Sequence, residues 1–297
     1  MKEWNATEIC GQLRSVVSEY NKELVIHSVF ASTINVFGED LFFSIVTRRN
    51  CLYPMSCRID EMLPLTELGL RSGMCVIVSE DSISIPQADL VIHLLGSNTL
   101  DLSIRKLEGL YIPEDLEEKT AVLKELVRAK GCRDDLSTLV TGEFDNPYAQ
   151  AITKYLPEFG RAVREDNIRA AELAGAFAGG GVGLTPSSDD LILGYMTIYL
   201  ARSLAVDPSR LEDALRLTKA IGEEAAKHTN LISGTFLKQC GMGLISENMT
   251  KLVIALYSDS KKETIRLCGE RILEYGSTSG TDILTGMILS MLNFNNA

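Results

Sequence analysis

Residues 179–194 read GGGVGLTPSSDDLILG, a glycine-rich stretch followed by hydroxyl and carboxylate side chains. Four glycines among five residues favour a tight or flexible turn, because glycine adopts backbone conformations closed to other residues. The apolar residues 191–204 then predict a helix, with Ser187 as N-cap and Asp190 at the capping-box position. A helix N-terminus presents unpaired N–H groups and suits an anion. The stretch is therefore either an anion site or a well-capped helix start behind a surface turn.

A similar sequence pattern occurs again near the end of the chain. SSDDLILG at residues 187–194 matches SGTDILTG at residues 279–286, since both read Ser, two residues, Asp, two aliphatic residues, one residue and Gly. Each copy opens a helix that is apolar on nearly every face, which is typical of the centre of a bundle. A glycine inside a helix costs about 1 kcal/mol relative to alanine, so Gly194 and Gly286 predict close helix packing. The two N-termini would then lie side by side; the alternative is two unrelated capped core helices.

The common glycine-loop chemistries do not fit this stretch. No Gly-Lys-Ser/Thr follows the glycines, as a Walker A loop requires, and the G-V-G at residues 181–183 follows a helix, unlike a dinucleotide fingerprint. A G-x-S-x-G nucleophile elbow is not evident. Mg²⁺ is the one cofactor suggested, because Asp189 and Asp190, with Asp282, could hold it beside a phosphate. Capping explains Asp190 and Asp282 as well, so Asp189 is expected to be the freest carboxylate.

The composition is that of an ordinary globular protein. The 297 residues are 45% hydrophobic and carry a formal charge of −11, which argues against nucleic acid or an anionic membrane as partner. An anionic substrate must therefore be held by local donors. The seven cysteines contain no C-x-x-C pair and only three histidines occur, so zinc is not expected and reduced thiols fit best. No signal-peptide pattern or long apolar run occurs, which predicts a soluble cytoplasmic protein.

The chain length predicts two domains. Residues 1–112 begin with a helix near residues 7–19 and continue with short β-branched or aromatic runs between turn residues, the pattern of a small antiparallel β barrel or sandwich. We expect strands at residues 24–30, 33–37, 41–46, 75–78, 83–85 and 90–95. Residues 113–297 have helical periodicity, with a further capping box at Ser260 and Glu263. They are expected to form an α-helical domain that carries the glycine-loop site, and the fold class is α+β.

These motifs resemble those of a known family. Residues 179–194 are similar to the G-x-G-P-G-L-T-P-S-G-D-D-x-x-x-G signature of the AllH family, named for a subunit of the oxamate carbamoyltransferase of anaerobic allantoin breakdown. Residues 229–243 follow its T-x-x-x-S-x-x-x-L pattern, residues 276–286 its G-x-S-S-G-x-D-x-L-x-G pattern, and residues 28–35 are similar to its opening strand. The chain departs from the family at Val182, Ser188 and Thr278, where Pro, Gly and Ser are usual.

The resemblance implies a subunit that takes part in carbamoyl transfer between oxalurate and phosphate, giving oxamate and carbamoyl phosphate. It also implies two other kinds of subunit as partners. The paired helix N-termini would orient these small anions and stabilise the developing charge. The expected catalytic residues are Asp189, Asp190 and Asp282, and the expected substrate-binding residues are Gly181, Gly183, Thr185, Ser187, Ser188, Ser233, Thr278, Ser279 and Gly280.

Two other functions stay open from the sequence. The chain could be a non-catalytic partner subunit, in which the twin helix ends are structural caps and the β-rich domain is a docking surface. It could also be a carboxylate- or phosphate-binding protein of unrelated chemistry on the same scaffold. Binding of carbamoyl phosphate or oxamate by the isolated chain would argue against the non-catalytic subunit.

Overall fold

The computed structural model describes residues 2–17, 19–20, 23–39, 41–132, 136–143 and 146–295. The chain forms two compact units, Met1–Leu102 and Ser103–Ala297, each with its own hydrophobic core. The domain boundary expected after residue 112 lies inside the range of the second unit. A β-rich unit precedes a helical one along the chain, which confirms the α+β class.

The first unit is a small β-barrel. Its strands are β1 (Lys2–Cys10), β2 (Leu24–Val29), β3 (Thr33–Phe37), β4 (Phe42–Thr47), β5 (Ser56–Ile59), β6 (Cys75–Val78), β7 (Ser82–Ile85), β8 (Leu90–His93) and β9 (Asn98–Leu100). The order β5-β4-β3-β2-β6-β7-β8-β1 closes into a ring because β1 also pairs with β5, and β9 pairs with the end of β1. Most neighbours are antiparallel, but β1 runs parallel to β8 and β9, and β4 to β5. Aliphatic side chains such as Ile26, Ile34 and Ile45 are fully buried in its core.

The helix predicted over residues 7–19 is wrong at its start. The residues up to Cys10 belong to β1, and helix α1 spans only Gly11–Val17. Ile9 has strand neighbours on both sides, so backbone pairing with distant parts of the chain overrides the local helical spacing. Strands β1, β5 and β9 are not among those expected, because their sequences are too polar or too short to stand out.

The second unit is helical, as predicted, and no β-strand occurs in the part of it that the structure describes. Its helices are α2 (Leu116–Lys130), α3 (Thr138–Thr141), α4 (Pro147–Thr153), α5 (Leu156–Arg164), α6 (Arg169–Phe177), α7 (Ser187–Val206), α8 (Leu211–Ala225), α9 (Leu231–Gly241), α10 (Glu247–Leu256), α11 (Lys262–Leu273) and α12 (Ser279–Asn295). The capping box predicted at Ser260 and Glu263 is wrong, because Lys261 is the N-cap of α11 and no side chain caps it. Among the described residues, no helix is long and apolar enough to span a bilayer.

Helices α7 and α12 are largely buried in the core of this unit and pack directly against each other. Their backbones come close together at Gly194 and Gly286, the glycines of the sequence repeat. A Cβ on Gly194 would clash with the carbonyl oxygen of Ile283, and a Cβ on Gly286 would clash with that of Leu191. Leu191 and Ile283 occupy the same position of the repeat, so the contact is symmetric between the helices. The close packing predicted from the two glycines is confirmed.

Candidate functional site

The glycine loop, residues 179–185, enters α7 through conformations that glycine adopts without strain. The φ angles are 75° at Gly179, 128° at Gly181 and 101° at Gly183. A Cβ on Gly181 would lie 2.5 Å from the backbone nitrogen of Ser187, so the loop folds back onto the first turn of the helix. The tip of the loop faces outward, with Val182 70% exposed. An external molecule can therefore reach the backbone of the tip.

The tip of this loop has N–H groups that the described part of the chain does not use. The N–H groups of residues 181–185 and of Ser187 donate no hydrogen bond to the part of the chain that the structure describes. At the base of the loop, the N–H of Gly180 donates to Ser188 Oγ at 2.7 Å, and the N–H of Ser188 donates to the Gly180 carbonyl at 2.9 Å. Ser188, expected to bind substrate, thus holds the loop onto the helix. The loop is anchored at its base and offers donors at its tip.

The capping box predicted for α7 is wrong. The helix begins at Ser187 with Pro186 as its N-cap, and no side chain caps it. The proline fixes an extended backbone before the helix, and its carbonyl accepts from the N–H groups of Asp189 and Asp190, at 2.9 and 3.2 Å. In α12 the carbonyl of Thr278 accepts from the equivalent pair of N–H groups, at 2.9 and 3.0 Å. The two helix starts therefore share this backbone pattern.

Asp189 binds three donors of its own protein. Its Oδ1 accepts from the N–H of Gly179 at 2.7 Å, and its Oδ2 accepts from Ser233 Oγ at 2.7 Å and from the hydroxyl of Thr229. The side chain is buried and ties the glycine loop to the start of α9. The expectation that Asp189 is the freest carboxylate is wrong, because both of its oxygens have partners. Ser233, expected to bind substrate, donates to this carboxylate.

The two helix starts meet in a pair of hydroxyl groups. Thr185 Oγ1, before the start of α7, lies 2.8 Å from Oγ of Ser279, the first residue of α12. Both hydroxyls also form hydrogen bonds with the side chain of Asp190. The prediction that the two N-termini lie side by side is confirmed by this contact, which joins residues far apart in the sequence.

Asp190 and Asp282, equivalent residues of the repeat, are both buried at this junction. Burial raises the pKa of Asp190 well above its usual range, and the charges of Asp282 and Asp189 raise it further, while hydrogen bonds from Ser279 and Thr185 offset part of the rise. Within the described chain, Asp190 Oδ2 has no hydrogen-bond partner, whereas Asp282 Oδ1 accepts from the N–H of Leu136 at 2.8 Å. The carboxyl of Asp190 thus tends to keep its proton, and a protonated carboxyl can donate a hydrogen bond.

The other expected residues have backbone and packing contacts. Gly280 packs against α11, because a Cβ there would clash with the carbonyl oxygen of Ile272. Ser187 is buried beside Gly181 in the first turn of α7.

Among the described residues, no group of three or more His, Cys, Asp or Glu side chains is arranged so that it could hold a metal ion. Because donors already surround Asp189, the pair of Asp189 and Asp190 does not fit Mg²⁺.

The structure shows two contacts at the site that were not predicted from the sequence. Thr229 was not among the expected site residues, although its spacing of four from Ser233 in the T-x-x-x-S pattern was a usable signal. The N–H of Leu136, which donates to Asp282, had no signal at all. A backbone donor leaves no mark in the residue type, so only the folded chain reveals it.

Comparison with known families gives two matches. A family described as oxamate carbamoyltransferase subunit AllH matches residues 177–291, which include the glycine loop and both helix starts. The AllH family N-terminal domain matches residues 5–99, nearly the whole barrel unit. No solved structure gives a significant match. Apart from Leu136, the residues that the geometry brings together at the helix starts lie within the first match.

Proposed function

This chain belongs to the AllH family, and we propose that it is the oxamate carbamoyltransferase subunit that holds an anionic substrate at the starts of α7 and α12. The reaction transfers a carbamoyl group from oxalurate to phosphate, giving oxamate and carbamoyl phosphate. The other kinds of subunit of such an enzyme are the proposed partners. The observation that carries the proposal is the Thr185–Ser279 hydroxyl pair, 2.8 Å apart, at the buried carboxyl of Asp190.

The loop tip is the proposed anion-binding element. Each substrate and product of this reaction carries a carboxylate or a phosphate, and the N–H groups of residues 181–185 are unused by the described chain. Hydrogen bonds to a charged group contribute about 1.5–3 kcal/mol each. The positive ends of two helix dipoles add to this attraction. Local donors are needed because the net charge of −11 repels an anion.

Asp190 is the proposed proton donor. An oxygen of phosphate forms a bond to the carbamoyl carbon, and the bond from that carbon to the nitrogen of the oxamate portion breaks. That nitrogen takes the proton of Asp190, and the carboxylate regains a proton from the hydroxyl of the attacking phosphate, so protons balance. A raised pKa supports this role, because a proton donor works best when its pKa lies near the working pH. Thr185 and Ser279 orient the carboxyl through their hydrogen bonds.

Turnover of the reconstituted enzyme tests this proposal. We expect Asp190→Asn to lower kcat by about 10²–10⁴-fold, the usual contribution of a general acid. Ser279→Ala should lower kcat/KM by about tenfold, since it removes one hydrogen bond to the reacting carboxyl. Asp213→Asn is the matched control, because Asp213 is an exposed residue of α8 that pairs with Arg216. Equal turnover of Asp190→Asn and Asp213→Asn would contradict the assignment.

A non-catalytic partner subunit is the second candidate function. It is favoured by the internal hydrogen bonds of Asp189 and Ser188, which hold the loop without any ligand. Calorimetry of the isolated chain with carbamoyl phosphate and with oxamate separates the two functions. A catalytic subunit that holds substrate should bind at least one of them, and Ser279→Ala should weaken that binding. Absence of any heat signal would favour the partner subunit.

The proposal includes a cytoplasmic location. None of the seven cysteines, all of which lie among the described residues, forms a disulfide bond. Free thiols are usual where glutathione and thioredoxin keep cysteines reduced. Cell fractionation followed by detection of the chain would test this location.

A further inference from the structure

A cleft lies at the opposite end of α7 from the glycine loop. Its lining comes from the ends of α5 and α7, the start of α8 and Phe294 near the end of α12, and its volume is about 300 Å³. At about 1.5 Å per residue, Arg202 in this cleft lies roughly 22 Å along the helix axis from Ser187. The cleft is therefore separate from the site at the helix starts.

The charge of this cleft is opposite in sign to that of the whole chain. Arg164, Arg202 and Arg210 line it together with one carboxylate, Asp166. Arg210 forms an ion pair with Asp166, which also accepts from the hydroxyl of Tyr199 at 2.5 Å. The other two guanidinium groups have no carboxylate partner among the residues that the structure describes. In a chain with a net charge of −11, the cleft is a local region of positive charge.

Arg202 is positioned by an aromatic ring and not by an acid. Its guanidinium lies over the ring of Phe294, 5.1 Å from the centroid, and Phe294 stacks on Tyr199 with centroids 6.1 Å apart. No hydrogen bond joins Arg202 to the described chain, so its N–H donors are available. Arg164 uses Nη1 for the carbonyl and side-chain oxygens of Asn293, at 2.9 and 3.3 Å, and has further donors available.

We propose that this cleft binds a small metabolite anion with at least two negative charges on phosphate or carboxylate groups, and that Arg202 is its main contact. A guanidinium presents a fork of donors that matches two oxygens of such a group. Arg164 is the second contact, whereas Arg210 already forms an ion pair with Asp166. The ends of α5, α7 and α12 disfavour an anion through their dipoles and only the start of α8 favours one, so the attraction comes mainly from these side chains. The volume suits a small molecule.

Calorimetry on the full chain tests this site. The probes are pyrophosphate and citrate, each compared with sodium chloride at the same ionic strength. We expect one or both probes to bind, and Arg202→Gln to weaken that binding at least about tenfold, because charge-assisted hydrogen bonds are lost. Arg202→Lys should give an intermediate affinity, since it keeps the charge and loses the fork. Arg216→Gln is the control, because Arg216 is an exposed arginine of α8 paired with Asp213.

The outcomes separate this site from the one at the helix starts. Binding that survives in Ser279→Ala and is lost in Arg202→Gln supports the cleft. Three results would overturn it: no binding of either probe beyond the sodium chloride baseline, equal losses in Arg202→Gln and Arg216→Gln, or a loss in Ser279→Ala alone. Thermal unfolding of each variant shows that the chain is folded. Because turnover is not measured, failure here leaves the proposed carbamoyl transfer unaffected.

Discussion

Gly194→Ala tests the close contact between α7 and α12 that brings the two helix starts together. In an ordinary helix this change stabilises by about 1 kcal/mol, because alanine has the higher helix propensity. Here the new Cβ would lie 2.9 Å from the carbonyl carbon of Ile283 and 3.0 Å from the nitrogen of Met287, and closer still to the Ile283 oxygen. Carbon atoms in contact lie about 3.5–4.0 Å apart, so the helices must separate by roughly 1 Å.

The magnitude follows from that separation. A gap of about 0.5–1 Å forfeits a quarter to a half of the dispersion energy of the contacting atoms, and overpacking of a core typically costs about 1–3 kcal/mol. The cost lies at the upper end of that range, about 3 kcal/mol, because the new Cβ meets backbone atoms of α12. After the gain of about 1 kcal/mol in helix propensity, we expect the free energy of unfolding to fall by about 2 kcal/mol. At about 2–4 °C per kcal/mol, Tm should fall by roughly 4–8 °C. Gly286→Ala should behave alike, because its Cβ would lie 2.8 Å from the carbonyl carbon of Leu191.

Urea and thermal unfolding of the full chain measure this effect. Gly175→Ala on α6 is the matched control, because the three atoms nearest to its Cβ would be side-chain atoms of Glu224 and His228, at 3.1 to 3.4 Å. We expect its stability to change by less than about 1 kcal/mol. The double variant of Gly194 and Gly286 should lose less than the sum of the single losses, since the first substitution already separates the helices. A Gly194→Ala chain as stable as the wild type would refute the reasoning.

Three further predictions concern the loop and the buried acids. Asp189→Asn should lower the free energy of unfolding by about 2 kcal/mol, because its amide nitrogen cannot accept from the buried donors; the urea midpoint measures this. Ser188→Gly should cost about 1 kcal/mol in the same assay, since the N–H of Gly180 loses its acceptor. The raised pKa of Asp190 means that the folded chain holds this proton more tightly than the unfolded chain. Its contribution to stability is therefore present below the unfolded pKa and is lost as pH rises through the folded pKa; Asp190→Asn should abolish that slope in urea midpoints measured against pH.

The expectations that followed from local pattern agree well with the structure. The helical character of the second unit rests on the 3.6-residue periodicity, and periodicity depends only on neighbouring residues. The glycines at equal positions of the repeat predicted the contact of α7 and α12, because a helix interior tolerates glycine mainly where another backbone approaches. In the barrel, the six predicted runs occur as strands with ends shifted by no more than a few residues.

The errors share one physical cause. The apolar residues at the end of strand β1 have helical spacing, yet Ile9 pairs with the distant strands β5 (Ser56–Ile59) and β9 (Asn98–Leu100). The capping box predicted for α7 failed in a similar way, because Pro186 and the loop folded onto α7 replace the expected side-chain cap. The residue types of a segment predict the secondary structure that the segment favours in isolation. The hydrogen bonds of β1 and of the start of α7 depend instead on which other segments pack against them in the folded chain.

The roles of the three aspartates show the same division. The sequence by itself determined that two helix starts with hydroxyl and carboxylate side chains exist, and that glycines allow them to meet. Only the tertiary structure decided which partners each carboxylate has. Asp189 accepts hydrogen bonds from α9 and the glycine loop, whereas Asp190 is buried at the Thr185–Ser279 contact. The pKa and the hydrogen bonds of a carboxyl depend on burial and on neighbours from other segments, and those exist only once the chain has folded.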